Sequence, residues 1–389
     1  MPSAPRRAEV RQRLLAAAGR AFGSGVRPSR APRRILVLRP DHIGDVLLSA
    51  PALGALQATF PDAELTYLVG PWSAEVARRG PPVRVQTLSY PGFTRRPKAN
   101  LAAPYAVLGQ AAVALRRQAY DLGVVLRPDH WWGALLALTA GIPTRLGFDL
   151  PETRPLLSHP LPFDPRQHAA EQGLALAAYA ADLYGRPVQA VSGAPSFCIH
   201  QAEHAAAARL LAQDGITGAP GALVGIQPSS GAALKSWPRA WWAALADRCR
   251  AAGLEVLLLG GPEDASLLAS IRALQADPSP ALSGQSLAVS AAVYARCRVL
   301  VGLDGGGPHL AEAVGTPTVR LYGPASAAKY GPWPPHADQR VLMTRALACV
   351  PCGHLQDPPC GASRLPACLL SLSVEDVFAA VTDLLFSTR

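Results

Sequence analysis

Apolar and polar positions follow one another along the chain in a repeating order of short apolar runs and longer amphipathic stretches. The first run, over 34–39, is typical of a buried strand, and it is followed by a tight loop over 40–44 and a helical pattern over 45–60. Further apolar runs at 65–69, 83–88 and 122–126 are separated by alanine-rich helical stretches. Strands that are apolar throughout are covered on both faces, so this order predicts a parallel sheet between two layers of helices.

A second series of the same kind begins after 189–196, where the periodicity is lost. The pattern predicts helices over 200–213, 239–252, 265–275 and 287–296, another from about Gly307, and strands over 222–227, 254–259, 298–302 and 317–322. A last helical pattern covers 374–386. We therefore expect an α/β protein with two doubly wound, Rossmann-like domains, which bind ligands in loops at the carboxyl ends of their strands.

The length of 389 residues fits the same division, because one hydrophobic core seldom serves so long a chain. We expect a basic N-terminal tail over 1–32, an N-terminal domain over 33–195 and a C-terminal domain over 196–372. The last segment, 373–389, is expected to form a helix that packs back on the N-terminal domain.

The net charge of +10 is concentrated at the N-terminus, where residues 1–34 hold nine arginines and one glutamate. This segment lacks the apolar stretch of a signal peptide, and it is either a solvated arm or a basic helix in peripheral contact with anionic lipid. The nearly neutral body has no basic stripe interleaved with aromatic residues, which argues against nucleic-acid binding. No apolar run reaches the ~18–20 residues of a membrane span, so we expect a cytoplasmic protein, either free or peripheral on the inner face of the membrane.

The first loop, Pro-Asp-His-Ile-Gly-Asp over 40–45, joins a buried strand to a helix. Its single glycine does not give the dinucleotide-binding spacing, which argues against a dehydrogenase. Asp45 is either a helix-capping carboxylate or a functional one. After the strand at 122–126, Arg127 and Asp129 follow; together with His42 they are the candidates for acceptor binding, and the alternative is an ordinary helix start over buried tryptophans.

The loops of the second domain carry small and basic residues. Ser229 and Ser230 offer hydroxyl donors, and Lys235 offers a point charge suited to phosphate, unless it is simply a solvated loop lysine. The loop after 298–302 combines an aspartate, three glycines and a histidine, and exposed N–H groups at a glycine-lined helix start form an anion site. The alternative is a tight turn. The candidate residues of this loop are Asp304, Gly305, Gly306, Gly307 and His309. Glu263, from another loop, is the candidate for binding the ribose hydroxyls.

Together these strings resemble glycosyltransferase family 9, the ADP-heptose:lipopolysaccharide heptosyltransferases and their relatives, over about 33–377. The likeness rests on the order and spacing of the strings at 35–39, 44–45, 51–53, 60–61, 235–238, 260–263, 304–311, 315–318 and 322–324. The resemblance implies a GT-B fold with a central cleft. It also implies an inverting, metal-independent transfer, without a cofactor, from a nucleotide-diphosphate sugar, expected to be ADP-linked, to a lipopolysaccharide-like or other cell-envelope glycan.

The resemblance also implies roles for single residues. Asp45 matches the general base, while Lys235, the glycines and the two serines would stabilise the departing diphosphate. Asp304 and His309 match donor-site positions, and Glu263 matches the residue expected at the ribose. The chain departs from the family at two positions, having Gly305 where Ser or Thr is usual and Gly307 where Pro is usual, so one hydroxyl donor to phosphate is missing.

Two other functions remain open from the sequence. A nucleotide-sugar-binding protein without activity would explain the two glycine departures. A sugar-nucleotide epimerase on the same fold would need a second acid or base, for which His42 is the candidate.

Four cysteines are clustered near the C-terminus with the spacing C-x₂-C-x₇-C-x₇-C. Their number suits a structural zinc ion, but the second pair lacks the C-x-x-C spacing. A zinc site, a disulfide and reduced thiols therefore all remain open for Cys349, Cys352, Cys360 and Cys368.

Overall fold

The computed structural model describes residues 27–93, 103–189, 193–216 and 223–386. The chain divides into two compact units between Gly193 and Ala194. Most of the basic tail, and with it the membrane contact expected of that tail, lies outside the described residues. Arg27, at the end of the tail, donates through Nε to the carbonyl of Leu183 at 3.1 Å and through Nη2 to that of Asp182 at 2.7 Å. This residue therefore binds the carbonyl end of a helix, where a cation is favoured.

Within the described residues, the first unit holds one sheet of six parallel strands in the order β3-β2-β1-β4-β5-β6. The strands are β1 Arg34–Arg39, β2 Glu64–Val69, β3 Arg84–Thr87, β4 Leu122–Val125, β5 Thr144–Phe148 and β6 His159–Leu161. The helices are α1 Ile43–Leu47, α2 Ala50–Thr59, α3 Ala74–Arg79, α4 Ala103–Arg116, α5 Trp131–Thr139 and α6 Ala169–Leu183, with short 3₁₀ turns at Pro71–Ser73 and Arg154–Leu156.

The second unit repeats this order over its own described residues, as β9-β8-β7-β10-β11-β12, again all parallel. Its strands are β7 Leu223–Gln227, β8 Glu255–Gly260, β9 Ala281–Ser283, β10 Val299–Leu303, β11 Thr318–Tyr322 and β12 Gln339–Met343. Its helices are α7 Gln201–Gln213, α8 Arg239–Ala251, α9 Ala265–Arg272, α10 Leu287–Tyr294, α11 Gly306–Ala313, α12 Ala327–Tyr330, α13 Ala367–Leu370 and α14 Val374–Phe386.

The central strands of both sheets are buried on both faces, as the uninterrupted apolar runs predict. In the first sheet the side chains of Leu36 and Leu38 are fully covered, and in the second those of Val299 and Val301 are. Burying one such side chain stabilises the fold by about 1.5–3 kcal/mol. The prediction of two doubly wound α/β domains is confirmed. In each, the order reverses beside the first strand, between β1 and β4 and between β7 and β10, and this reversal is the switch point at which such sheets bind ligands.

The helix predicted over 45–60 is two helices, α1 and α2. Pro51 lies in the first turn of α2 and has no N–H with which to continue the hydrogen bonding of α1. Ser49, between the two helices, donates through Oγ to the carbonyl of Asp45 at 2.8 Å. The break shortens α1 to five residues and holds Asp45 near the end of β1.

The last helix, α14, contributes its buried side chains to the core of the second unit. Its buried side chains, Val377, Val381 and Leu384, belong to the same core as Trp242 of α8 and Leu321 of β11. Its apolar face is therefore covered by its own domain. Among the helices that the structure describes, none has both the length and the apolar composition needed to cross a bilayer.

Candidate functional site

The switch point of the first sheet is built around Arg39, the last residue of β1. Its Nε lies 2.7 Å from Asp41 Oδ2, and its Nη2 lies 3.1 Å from Asp45 Oδ1. Nη1 donates to the carbonyl of Leu126, just beyond β4, at 3.2 Å. Burial alone would lower the pKa of the Arg39 guanidinium, but the carboxylates of Asp41 and Asp45 outweigh burial and raise it. Arg39 is therefore a fixed buried cation that holds both carboxylates.

Asp45 combines a fixed position with access to solvent. It lies in the first turn of α1, where a carboxylate also interacts favourably with the helix dipole. Its side chain remains 32% exposed although Oδ1 accepts a hydrogen bond from Arg39. A carboxylate that is held by a buried arginine and is still reached by solvent can meet the hydroxyl group of a substrate and accept its proton.

Asp41 joins β1 to β4 and was not singled out from the sequence. It is 4% exposed and forms ion pairs with Arg39 and with Nη1 of Arg127. Arg127 also donates to both carboxylate oxygens of Asp129, through Nε at 2.6 Å and Nη2 at 3.2 Å. Burial alone would lower the pKa of Arg127, but the two aspartates outweigh burial and raise it. The only signal for Asp41 in the sequence was its place directly after the first strand and loop proline.

Aromatic rings surround this edge of the first sheet. The exposed His42 has its ring centroid 5.8 Å from that of Trp72, and the guanidinium of Arg127 lies over the ring of Phe93 at 5.1 Å. His130 is buried beside Phe93, and burial, the largest of several influences, lowers its pKa to about 3, so it is neutral. Of the three predicted acceptor residues, the structure joins Arg127 to Asp129 and places His42 against Trp72.

The switch point of the second sheet is built around an ion pair. Lys235, in the loop after β7, places Nζ 2.5 Å from Oδ2 of Asp304, which directly follows β10. The two side chains are 17% and 8% exposed, so the pair is largely shielded from water. The structure thus brings together two predicted donor-site residues that lie 69 positions apart in the sequence.

The predicted glycine-lined helix start is present. Helix α11 begins at Gly306, and its cap residue, Gly305, has no side chain that could bond to the N–H groups of the first turn. The N–H groups of the first turn have no partner within the helix, and Pro308 has none to satisfy. Unpartnered N–H groups at a helix start attract anions.

The two glycines that depart from the family pattern, Gly305 and Gly307, differ in the space available for a side chain. Gly305 is extended, with φ 177°, and a Cβ built there would lie 3.7 Å from its nearest neighbour, the carbonyl of Leu303. A side chain therefore fits at 305. At Gly307, by contrast, a Cβ would lie 1.7 Å from Oε1 of Gln227, so the carboxamide of Gln227 occupies the space that a side chain would need.

The two predicted serines make hydrogen bonds within the loops. Ser229 Oγ donates to Asp264 Oδ2 at 2.6 Å, and Ser230 Oγ lies 2.6 Å from the carbonyl of Lys235. Asp264 also accepts from the N–H of Gly261 at 2.7 Å and so joins the loops after β7 and β8. Glu263, the residue favoured for the ribose, is the exposed neighbour of Asp264.

His309 is held from behind by a buried ionic cluster. Nη1 of Arg320 lies 3.1 Å from Nδ1 of His309, and Nη2 donates to Oε2 of Glu312 at 2.6 Å and to the carbonyl of Pro308 at 3.2 Å. Burial alone would raise the pKa of Glu312, but His309 and Arg320 outweigh burial and lower it. This cluster fixes the first turns of α11.

The four clustered cysteines are free thiols, with Cys349 and Cys360 exposed, Cys352 half-buried and Cys368 buried. Over the described ranges, no three side chains of His, Cys, Asp or Glu are grouped as metal ligands. The zinc interpretation of their spacing therefore gains no support from the geometry.

Comparison with known proteins gives a consistent result. The family model described as glycosyltransferase family 9 (heptosyltransferase) matches residues 109–359, which is more than half of the chain. Lipopolysaccharide heptosyltransferase 2 of Escherichia coli K12 is 27% identical over 320 residues, covering 75% of this chain and 83% of that protein.

Two solved structures share the fold. A glycosyl transferase family 9 protein of Veillonella parvula has a TM-score of 0.75 at 23% identity, covering 92% of this chain and 98% of its own. The Escherichia coli ADP-heptose lipopolysaccharide heptosyltransferase II has a TM-score of 0.69 at 24% identity, covering 91% and 99%. The GT-B class expected from the sequence is thereby confirmed.

Proposed function

The chain belongs to glycosyltransferase family 9, and from that premise we propose that it moves a heptose or a similar sugar from an ADP-linked donor to a lipopolysaccharide-like acceptor. It is a glycosyltransferase. The names of its relatives support the finer proposal, since one is a lipopolysaccharide heptosyltransferase and another is named for ADP-heptose. The two other functions left open by the sequence, a binding protein without activity and an epimerase, gain no support from these relatives.

The observation that carries the proposal is the Lys235–Asp304 pair beside the glycine-lined start of α11. A diphosphate bound at this helix start would meet two backbone N–H donors. The ammonium group of Lys235 would be within reach of the same diphosphate. Asp304 holds Lys235 in place before the donor binds. The site can therefore receive a nucleotide diphosphate with little rearrangement.

In the proposed reaction, the carboxylate of Asp45 takes the proton from an acceptor hydroxyl as that oxygen attacks the anomeric carbon of the donor. The new glycosidic bond forms on the face opposite the diphosphate, which leaves with the bonding electron pair, so the configuration inverts. General-base assistance of this kind contributes about 10²–10⁴ in rate. Arg39 keeps the base in position.

We propose that the leaving group is stabilised without a metal ion. Lys235 and the N–H groups of Gly306 and Gly307 lie where negative charge grows on the departing diphosphate, and donors fixed in advance lower the barrier at that point. The acceptor is proposed to lie against Arg127, Asp129 and His42 of the first domain. We place the reaction at the inner face of the cytoplasmic membrane, where a lipid-linked acceptor is available.

Calorimetric titration with ADP, UDP, GDP and CDP in the presence of EDTA tests the proposal. We expect ADP to bind most tightly. Lys235→Ala should weaken its binding about tenfold to a hundredfold, because a charge-assisted contact is lost. Arg272→Ala removes an exposed cation at the end of α9 and serves as the matched control, with affinity like that of the wild type. Tighter binding of another nucleotide, or an unchanged Lys235→Ala variant, would contradict the proposal.

A further inference from the structure

Gln227, the last residue of β7, lies at the switch point of the second sheet but is not among the residues that the sequence indicated. It is in register with Gly302 of the adjacent β10. Its side chain is partly exposed. It thus ends at the same edge as Lys235 and Asp304.

The carboxamide of Gln227 has a defined orientation. The buried phenol of Tyr294 donates to Oε1 at 2.9 Å. Burial raises the pKa of Tyr294, so this phenol keeps its proton and remains a donor. Because Oε1 is held by the phenol, the two hydrogens of Nε2 are directed to the other side of the carboxamide.

The same carboxamide lies directly on the start of α11. A Cβ built at Gly307 would be 1.7 Å from Oε1 and 2.6 Å from Nε2 of Gln227. Among the described residues, Nε2 has no hydrogen-bond partner. An oriented N–H₂ group is therefore available beside the N–H groups of Gly306 and Gly307.

We propose that Nε2 of Gln227 donates a hydrogen bond to the diphosphate of the donor, and that Gln227 is thereby a binding residue of this site. The inference rests on the proposed function and extends it. Gln227 offers a neutral donor at this helix start, where residue 305 of this chain has no hydroxyl. The glycine at 307 is then explained as the opening through which the carboxamide reaches the anion.

Two substitutions at Gln227 test the inference by titration with ADP and with adenosine, which has no phosphate. Gln227→Glu keeps the shape, removes the donor and adds a negative charge. We expect it to weaken ADP binding about tenfold to a hundredfold, and Gln227→Ala to weaken it less, since only the hydrogen bond is lost. The affinity for adenosine should stay that of the wild type in both variants.

Gly307→Ala adds an independent test, because its methyl group would displace the carboxamide while keeping the backbone N–H. We expect a loss of ADP affinity in the wild-type background and no further loss in Gln227→Ala, which is the non-additivity of two changes to one contact. Additive losses would overturn the inference.

The outcomes separate this inference from the proposed function. If Lys235→Ala loses ADP affinity and neither Gln227 variant does, the inference is overturned and the function stands. Equal losses for ADP and adenosine, together with a lower thermal midpoint, would assign Gln227 a structural role and also overturn it. If the wild-type protein does not bind ADP, both proposals fail.

Discussion

The two domains have the same strand order but differ in the chemistry of their switch points. In the first, three carboxylates and two arginines are joined in one network, in which the side chain of Asp45 remains 32% exposed. In the second, a single ion pair lies beside a glycine-lined helix start. The topology thus determines where ligand-contacting residues lie, and the side chains determine which chemistry takes place there.

Each domain also places a buried arginine behind its switch point, and the two arginines act differently. Arg39 touches the candidate base directly. Arg320 is fully buried and contacts the start of α11 through His309 and the carbonyl of Pro308. In the proposed reaction, the buried arginine of the first domain positions the proton acceptor, and that of the second positions a set of hydrogen-bond donors.

The largest effect is expected from Asp45→Asn, which tests whether the two domains have separate roles. We expect turnover to fall about 10²–10⁴-fold, because the amide cannot accept the proton of the attacking hydroxyl. The affinity for ADP, measured by calorimetry, should not change, since the substitution lies in the other domain. Asp214→Asn, an exposed aspartate after α7, is the control. Equal loss of turnover and ADP affinity in Asp45→Asn would show that the division between domains is wrong.

A second test concerns the buried cluster of the second domain. Arg320→Met leaves the carboxylate of Glu312 buried without its arginine, and we expect the free energy of unfolding, measured in urea, to fall by about 3–5 kcal/mol. Replacing both residues with apolar ones removes the unpaired charge and should restore part of the loss. If the single variant loses less than 1 kcal/mol, this cluster does not stabilise the start of α11.

A smaller effect, a gain in affinity for ADP, is expected from Gly305→Ser. The position is extended and has room for a side chain, and the new hydroxyl lies at the cap of α11. One additional hydrogen bond to a charged phosphate should tighten ADP binding by up to about tenfold. Gly305→Ala, which adds the methylene without the hydroxyl, is the matched control. Equal affinities of the two variants would show that the diphosphate does not reach this residue.

The smallest effect is expected at Asp129, which is exposed over 58% of its side chain. Burial alone would raise its pKa, but hydrogen bonds from Arg127 outweigh burial and lower it. A carboxylate whose pKa is lower when folded stabilises the protein above its ordinary pKa of 3.8, and this contribution is lost as the pH falls through the folded value.

Asp129→Asn should therefore lower the free energy of unfolding at pH 7 by less than about 1 kcal/mol, because solvent screens the pair. The thermal midpoint should fall only slightly. The difference from the wild type should shrink as the pH falls below 3.8 and vanish once the pH is below the lowered pKa of Asp129 in the folded protein. A difference that persists at low pH would show that Asp129 acts through something other than its charge.

The sequence predicted eight of the twelve described strands within one or two residues, namely β1, β2, β3, β4, β7, β8, β10 and β11, in which apolar residues predominate or alternate with polar ones. The strands β5, β6, β9 and β12 were not predicted. The strands β6 and β9 have three residues each, and β6 contains Pro160, so neither has a recognisable period. The edge strand β12 is only partly buried and mixes polar with apolar residues.

The sequence also indicated positions in the site but not the partners of these residues. Lys235 and Asp304 were both named, yet nothing in the chain shows that residues 69 positions apart form a pair. Asp41 was missed because its partner, Arg127, is 86 positions away. A single sequence shows which loops leave the strands, whereas contacts between loops depend on the order of the strands.

The fit between Gln227 and Gly307 has a consequence for the history of this site. The carboxamide and a side chain at 307 compete for one volume. A lineage that gains a side chain at 307 loses the placement of the carboxamide in the same step, whatever the selective value of either change alone. The two positions should therefore be inherited as a pair, and a set of relatives sorted by residue 227 should also be sorted by residue 307.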